Sequence, residues 1–229
     1  ISPDEFRASA GQDVRLQRIG EAYKLYQRQL KAADAMDFDD LLVNGVRLLR
    51  ENEDVLSYYR QKFEYVMVDE YQDTNHAQFE WIRLLAEPRC NLCVVGDDDQ
   101  SIYKFRGANI ENILQFEKHF PNCRTVRLEQ NYRSTQSILN AANAVIAHNI
   151  GRKGKTLWTE NPAGALIEQH TALDEQDEAK YIADQVQDLV SKGRKYGDMA
   201  VLYRMNAQST TIERAFVRSG IPYQIIGGH

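Results

Sequence analysis

The sequence predicts an α/β protein in which two parallel-sheet units follow one another along the chain. Short, continuous apolar runs of strand length alternate with segments whose apolar residues recur every three or four positions, the period of an amphipathic helix. The first two apolar runs each end in a cluster of acidic residues. Continuous apolar strands separated by helices are typical of parallel sheets covered by helices, which bind ligands at the carboxyl ends of their strands.

The first series of elements is helix, helix, strand, helix, strand. Apolar residues at helical spacing predict a helix over residues 16–30, and Asp37 is placed to cap a second helix with another aspartate three positions later. Residues 65–68 (YVMV) predict the first strand, which DEYQD follows at once. Asn75 is placed to cap the next helix, and residues 92–95 (LCVV) predict the second strand, which ends in GDDD.

A second series of elements begins after Pro121 and Asn122, so we place a domain boundary near residues 121–124. The predicted domains are residues 1–122 and 123–229. The predicted elements of the second series are strand 125–128, a helix from Ser134, strand 165–169, helix 177–190, strand 199–203, helix 209–219 and strand 223–226.

Composition restricts the class of protein. The net charge of −5 argues against a protein that coats itself in nucleic acid, so DNA binding would need a local basic patch. No segment approaches the roughly 20 apolar residues that span a bilayer, and no signal peptide precedes the first helix. We therefore expect a cytoplasmic protein without membrane contact. The chain starts with Ile1 and stops at His229, and we expect it to be a piece of a longer protein.

Three cysteines are present, Cys90, Cys93 and Cys123. A zinc site would require a second pair of cysteine or histidine ligands at similar spacing, and a redox pair would stand at a helix start. We expect buried or half-buried thiols without a metal.

Residues 151–156 (GRKGKT) invite comparison with the phosphate-binding P-loop. That loop needs a glycine five positions before the second one and a strand before it, but Asn149 holds the glycine position and a helical pattern precedes the loop. We interpret the segment as a solvated basic loop that closes a helix, with contact to a phosphate backbone as the alternative.

Asp69 and Glu70, directly after the first strand, suit phosphoryl transfer to water, because one carboxylate can hold Mg²⁺ and the other can deprotonate an attacking water. Surface acids at a strand end are the alternative for this pair alone. Two other classes of protein stay open. Asp69, Glu70, Asp97, Asp98 and Asp99 could form a two-metal nuclease centre, or the chain could be a non-hydrolysing interaction module.

Six segments of the chain carry a resemblance to a known family. They are DFDDLL (37–42), VDEYQDTN (68–75), VGDDDQSIYKFRGA (95–108), LEQNYRS (128–134), GRKGKTLWT (151–159) and AVLYRMNAQS (200–209). In this order they resemble motifs of the UvrD/PcrA/Rep-like superfamily 1 DNA helicases, and the resemblance covers nearly the whole chain. It implies two incomplete RecA-like units of P-loop NTPase type and an ATP-dependent 3′–5′ DNA helicase.

The resemblance also implies residue roles. Asp69 resembles the Mg²⁺ ligand, Glu70 the catalytic glutamate that also lies at the metal, and Gln100 the glutamine that senses the γ-phosphate. Tyr132 resembles the residue that stacks on adenine, and Arg133 the arginine finger. The implied site is a cleft between the two domains that ATP closes. A surface arginine and a half-buried core tyrosine are the alternatives for the last two residues.

For DNA, the resemblance implies contacts from Tyr103, Phe105 and Arg106, because aromatic faces stack on bases while cations follow the phosphates. The family commonly has tryptophan where Phe105 stands, and packing of Phe105 into the core is the alternative. The implied cofactors are ATP and Mg²⁺, and the implied partners are single-stranded and duplex DNA with repair or replication proteins. The family's P-loop would precede this chain, its later motifs would follow it, and a large insertion would begin near Gly227, so we expect no ATPase activity from these 229 residues alone.

Overall fold

A computed structural model describes residues 1–226 of the chain, which divide into two compact units. The first unit ends at Ala163 and the second begins at Gly164. The first unit therefore contains the whole first series of predicted elements and the start of the second series. The end of the second predicted domain, residues 227–229, lies outside the described residues.

The helices of the first unit begin where their sequence provides caps. The Asp37 carboxylate accepts a hydrogen bond from the backbone N–H of Asp40 at 2.8 Å, and the Asn75 side chain accepts one from Gln78 at 2.9 Å. Both predicted caps are confirmed. The elements are α1 (Pro3–Ser9), α2 (Val14–Ala32), α3 (Phe38–Glu51), α4 (Glu53–Lys62), β1 (Val66–Val68), α5 (His76–Ala86), β2 (Leu92–Val94), α6 (Glu111–Leu114), α7 (Phe116–His119) and α8 (Gln136–Ile146).

Strands β1 and β2 pair in parallel, as the sequence predicts, with Val66 opposite Leu92 and Val68 opposite Val94. One face of this pair packs against a core around Phe79 of α5. The other face carries Met67, which is 76% exposed. Helices therefore cover one side of the sheet within the described residues.

The expectation of buried or half-buried thiols is wrong for two of the three cysteines. Cys90 and Cys93 are exposed, whereas Cys123 is half-buried. Successive side chains of a strand point to opposite faces, so Cys93 shares the bare face of the sheet with its register partner Met67.

In the second unit, residues 164–226 contain two α-helices, α9 (Glu175–Ser191) and α10 (Ser209–Arg218). They pack together through small and aromatic side chains, among them Ala179, Ala183 and Phe216. None of the helices in residues 1–226 is long and apolar enough to cross a membrane.

The strands predicted for the second series are wrong as strands. Segments 125–128, 165–169, 199–203 and 223–226 have no ladder pairing, and the one sheet of the described residues is β1–β2. A strand needs a neighbour for its backbone groups, and the local apolar pattern does not specify that neighbour. Several apolar side chains of these segments are accordingly exposed, such as Leu128 at 79% and Leu202 at 90%, whereas Met199, Val201 and Tyr203 are half-buried against the core of the second unit.

Candidate functional site

The two acidic loops lie side by side at the carboxyl edge of the sheet. Beyond the strands, the backbone N–H of Val95 donates to the carbonyl of Val68 at 2.8 Å, and the N–H of Tyr71 donates to the carbonyl of Val95 at 3.0 Å. These bonds continue the β1–β2 pairing and bring the loops that start at Asp69 and Asp97 to one edge, where parallel sheets bind ligands.

Glu70 adopts a left-handed backbone conformation, with φ 50° and ψ 41°. This conformation costs a residue other than glycine about 1–2 kcal/mol, and such strain concentrates at functional sites. The N–H of Glu70 donates to the Asp69 carboxylate at 2.9 Å. Both side chains are exposed, so the turn presents two adjacent carboxylates to solvent.

Gln72 connects the two acidic loops, a role that the sequence analysis missed. Its side-chain amide is 1% exposed. The Nε2 group donates to Oε2 of Glu70 at 2.7 Å, and Oε1 accepts from the backbone N–H of Asp97 at 2.9 Å. Glu70 and the second acidic loop are thereby held in a fixed relation. A glutamine four residues after a strand gives no local signal of this role, because its partner lies 25 positions away.

Asp97 organises the second acidic loop. One carboxylate oxygen accepts from the N–H of Asp99 at 3.0 Å, and the other accepts from the side-chain amide of Gln100 at 2.8 Å. Burial raises the pKa of Asp97, but hydrogen bonds from Lys155 and Gln100 outweigh it, so the net pKa lies below the ordinary value of 3.8. The carboxylate is therefore charged at neutral pH and fixes the exposed amide of Gln100.

The segment GRKGKT packs on this acidic loop, so the interpretation of it as a solvated loop is wrong. Arg152 donates to both carboxylate oxygens of Asp99, at 2.8 and 2.6 Å. Lys155 pairs with Asp97 and lies 3.6 Å from Asp99. The side chains of Arg152 and Lys155 are only 20% and 18% exposed. Opposite charges 53 to 58 positions apart thus neutralise each other.

Tyr132 and Arg133 stand on a turn that two asparagines fix. The side-chain oxygen of Asn131 accepts from the N–H groups of Arg133 and Ser134 at 3.0 and 2.7 Å. Asn161 donates to the carbonyls of Tyr132 and Ser134 at 3.3 and 3.1 Å. Tyr132 is 80% exposed, and Arg133 is also exposed. Tyr132 is therefore not the half-buried core tyrosine of the alternative interpretation.

Tyr103, Phe105 and Arg106 form one surface cluster. The two ring centroids are 6.1 Å apart, and the Arg106 guanidinium lies 5.1 Å from the Tyr103 ring and 5.5 Å from the Phe105 ring. These distances allow cation–π attraction. Phe105 is 72% exposed, so its alternative placement in the core is wrong.

Asp69 and Glu70 have the chemistry that a Mg²⁺ ion needs. This ion is held by one or two carboxylates and keeps several waters. One oxygen of each carboxylate accepts a hydrogen bond, which leaves the other oxygen for the ion or its waters. Within residues 1–226 no group of three or more histidine, cysteine or acidic side chains is arranged to hold a metal. The ion pairs of Asp97 and Asp99 further disfavour a two-metal centre.

The structure joins some of the predicted site residues and not others. Glu70 and Gln100 belong to one hydrogen-bonded path through Gln72 and Asp97. Among the hydrogen bonds and ion pairs of the described residues, none joins this path to the side chain of Arg133. The aromatic cluster at residues 103–106 begins three residues after Gln100 and continues the same loop.

Comparison with models of known protein families identifies the family of this chain. Residues 1–121 match the UvrD/REP helicase N-terminal domain, and residues 126–229 match the UvrD-like helicase C-terminal domain. The chain belongs to the UvrD/Rep helicase family. Within this family, Asp69, Glu70 and Gln100 fall in the N-terminal domain, whereas the turn of Tyr132 and Arg133 falls in the C-terminal one.

Similar members of the UvrD/Rep family are the ATP-dependent DNA helicases PcrA of two staphylococci. The chain is 50% identical to the Staphylococcus epidermidis protein over 227 residues, which are 99% of this chain and 31% of that relative. It is 51% identical to the Staphylococcus aureus protein over 216 residues, 94% of this chain and 30% of that relative. The chain thus spans less than a third of the length of these relatives.

Proposed function

We propose that this chain supplies parts of both motor domains of an ATP-dependent 3′–5′ DNA helicase, with the domains at residues 1–122 and 123–229 and the RecA-like, P-loop NTPase fold of such motors. The motor hydrolyses ATP on single-stranded DNA, moves along it and unwinds duplex. The observation that carries the proposal is the hydrogen-bonded path from Glu70 through Gln72 and Asp97 to Gln100. The path connects Glu70, the proposed general base, to Gln100, whose side-chain amide can form hydrogen bonds with a phosphate.

In this proposal Glu70 accepts the proton of the water that attacks the γ-phosphate. Gln72 occupies Oε2 of Glu70, so Oε1 is left to accept from that water, and the fixed orientation favours attack from one direction. Asp69 would hold Mg²⁺, with Glu70 beside it reaching the ion through a water of its shell, and the ion would neutralise charge on the phosphate oxygens. Gln100 uses one N–H on Asp97 and retains a second N–H and its carbonyl for phosphate or water.

Tyr132 and Arg133 serve the nucleotide in the same proposal. The exposed ring of Tyr132 offers a face for adenine, and the guanidinium of Arg133 can donate two parallel hydrogen bonds to a phosphate. Asn131 and Asn161 hold the turn that presents both side chains. A rigid turn lowers the cost of ordering these side chains when nucleotide binds.

Tyr103, Phe105 and Arg106 serve single-stranded DNA. Two aromatic faces beside a guanidinium suit stacked bases and a phosphate backbone without preference for sequence. With a net charge of −5 for the chain, such a local cluster is the form that DNA binding takes here. The proposed compartment is the cytoplasm, which holds the DNA of bacteria such as those from which the relatives come. Repair or replication proteins are the proposed further partners.

Duplex unwinding by the complete gene product tests the proposal. We expect ATP-dependent strand separation on a duplex with a 3′ single-stranded tail and much less on one with a 5′ tail. Glu70→Gln should abolish it, whereas Glu64→Gln, which alters an exposed carboxylate before β1, should not. Metal-dependent cleavage of DNA without ATP would instead favour a nuclease, if Asp97→Ala abolished the cleavage and Arg133→Ala did not. Binding without either activity would favour an interaction module.

A further inference from the structure

The basic segment at residues 151–156 bears directly on the loop that carries Gln100. Its two half-buried cations pair with different aspartates: Arg152 donates to both carboxylate oxygens of Asp99 at 2.8 and 2.6 Å, and Lys155 pairs with Asp97. The backbone N–H of Lys153 adds a hydrogen bond to the carboxylate of Asp98 at 3.0 Å. Every aspartate of the acidic loop thus has a partner in one basic segment.

The Asp97 carboxylate contacts both Lys155 and Gln100. One oxygen of the Asp97 carboxylate meets the Lys155 ammonium, and the other accepts from the Gln100 amide at 2.8 Å. The oxygen that faces Lys155 also accepts from the N–H of Asp99 at 3.0 Å, so two donors on one side and the Gln100 amide on the other fix the rotation of the carboxylate. Without the ammonium, one donor is left on that side, and the acceptor of the Gln100 amide is held less firmly.

The basic segment is itself anchored to the part of the chain that carries Arg133. Arg127 donates to the carbonyls of Gly154 and Lys153 at 3.1 and 3.4 Å. Asn143 of α8 exchanges two hydrogen bonds with Leu157, at 2.9 and 3.2 Å.

Trp158, three residues after Lys155, is hydrogen-bonded to the chain just before the Arg133 turn. The N–H of Asn131 donates to the carbonyl of Trp158 at 2.7 Å, and the N–H of Trp158 donates to the carbonyl of Glu129 at 3.1 Å. Asn131 is the residue that holds the N–H of Arg133. A displacement of the Arg133 turn therefore pulls on the segment that ends in the Lys155–Asp97 pair.

We propose that Lys155 is a positioning residue for Gln100: it holds Asp97 so that the Gln100 amide is set, and it links that setting to the Arg133 turn. The proposal rests on the proposed function, because it concerns the same ATP site. In this proposal Lys155 acts through Asp97, whose carboxylate its ammonium contacts. Its effect is expected in the coupling between DNA binding and hydrolysis, since Gln100 lies between the Glu70 path and the aromatic cluster at residues 103–106.

The test compares Lys155→Met with Lys153→Met in the complete gene product. Both substitutions remove one ammonium from the same segment, but the Lys153 ammonium faces Glu117 at 3.7 Å rather than the acidic loop. A misplaced catalytic group costs on the order of 10–100-fold in rate. We expect Lys155→Met to lower kcat with single-stranded DNA by about that factor while KM for ATP changes little, and Lys155→Arg to restore part of the rate.

A second measurement tests the position of the Gln100 amide and does not depend on ATP hydrolysis. In the 229-residue chain, the side-chain amide of Gln100 should give a dispersed nuclear magnetic resonance signal that shifts in Lys155→Met and stays in place in Lys153→Met. An active, Glu70-dependent enzyme in which Lys155→Met matches Lys153→Met in rate and in the Gln100 signal overturns this inference alone. Wild-type protein without DNA-stimulated hydrolysis overturns the proposed function and the inference with it.

Discussion

Replacement of Gly96 by alanine tests the packing that holds the two acidic loops together. A β-carbon at this position would lie 2.7 Å from Oε1 of Gln72, 2.9 Å from Cδ1 of Ile113 and 3.2 Å from the backbone nitrogen of Tyr71. The Ile113 methyl group can rotate away. The Tyr71 nitrogen cannot, because it donates to the Val95 carbonyl. Gln72 is 1% exposed, so its amide must shift within a packed interior.

The expected cost follows from two contributions. Overpacking a well-packed interior costs about 1–3 kcal/mol. The shift of Gln72 also weakens its bonds to Glu70 and Asp97, each worth roughly 1 kcal/mol. We expect Gly96→Ala to lower the free energy of unfolding of the first unit by about 3 kcal/mol.

Urea unfolding followed by tryptophan fluorescence measures this change, because Trp81 and Trp158 both lie in the first unit. Gly45→Ala in the middle of α3 is the matched control. Its β-carbon would meet the Trp81 ring at 3.5 Å, an ordinary contact, and alanine should stabilise the helix by about 0.5–1 kcal/mol. A loss below roughly 1 kcal/mol in Gly96→Ala would refute the close packing of Gly96 against Gln72.

Three further substitutions probe separate parts of the structure. Tyr71→Phe should raise the free energy of unfolding by about 1 kcal/mol, since the buried hydroxyl, whose pKa burial raises to about 12, has no hydrogen-bond partner among the described residues. Phe105→Ala should weaken binding of single-stranded DNA about 5- to 30-fold in a fluorescence titration, because stacking on one aromatic side chain is worth roughly 1–2 kcal/mol. The stability difference between wild type and Lys155→Met should stay constant from neutral pH down toward 3.8 and shrink below it, because the folded-state pKa of Asp97 lies below that ordinary value.

The first two of these predictions have a matched control variant. Tyr26→Phe removes a hydroxyl that donates to Asp37 at 3.0 Å, so it should not stabilise, and equal gains in both variants would contradict the unpaired hydroxyl of Tyr71. Phe38→Ala removes another exposed phenylalanine, and equal losses of DNA affinity would contradict a specific role of Phe105. In the pH series, a difference that grows on acidification would reverse the sign expected of a carboxylate with a lowered pKa.

Local signals in the sequence predicted much of the first unit. The caps at Asp37 and Asn75 depend on residues three positions away, and the strands at 66–68 and 92–94 are continuous apolar runs. The common edge of the two acidic loops followed from parallel pairing alone. These features follow from short sequence patterns and from the usual parallel pairing of buried strands, so they can be predicted from the sequence.

The long-range contacts between side chains were not predicted from the sequence. Gln72 finds its acceptor 25 positions away and Lys155 finds Asp97 58 positions away, and no local pattern identifies either partner. The same limit explains the four segments of the second series that form no strand. An apolar run indicates where a strand can form, but the neighbour that completes its hydrogen bonds is a property of the whole fold.

The rate of ATP hydrolysis by the complete gene product, with and without single-stranded DNA, tests the central claim most directly. Wild type and Glu64→Gln should show strong stimulation by DNA, whereas Glu70→Gln should lose about 100-fold or more in the stimulated rate, as expected when a general base is removed. Hydrolysis that is absent in wild type, or equal in Glu70→Gln and Glu64→Gln, would contradict a motor whose catalytic base lies at the end of β1.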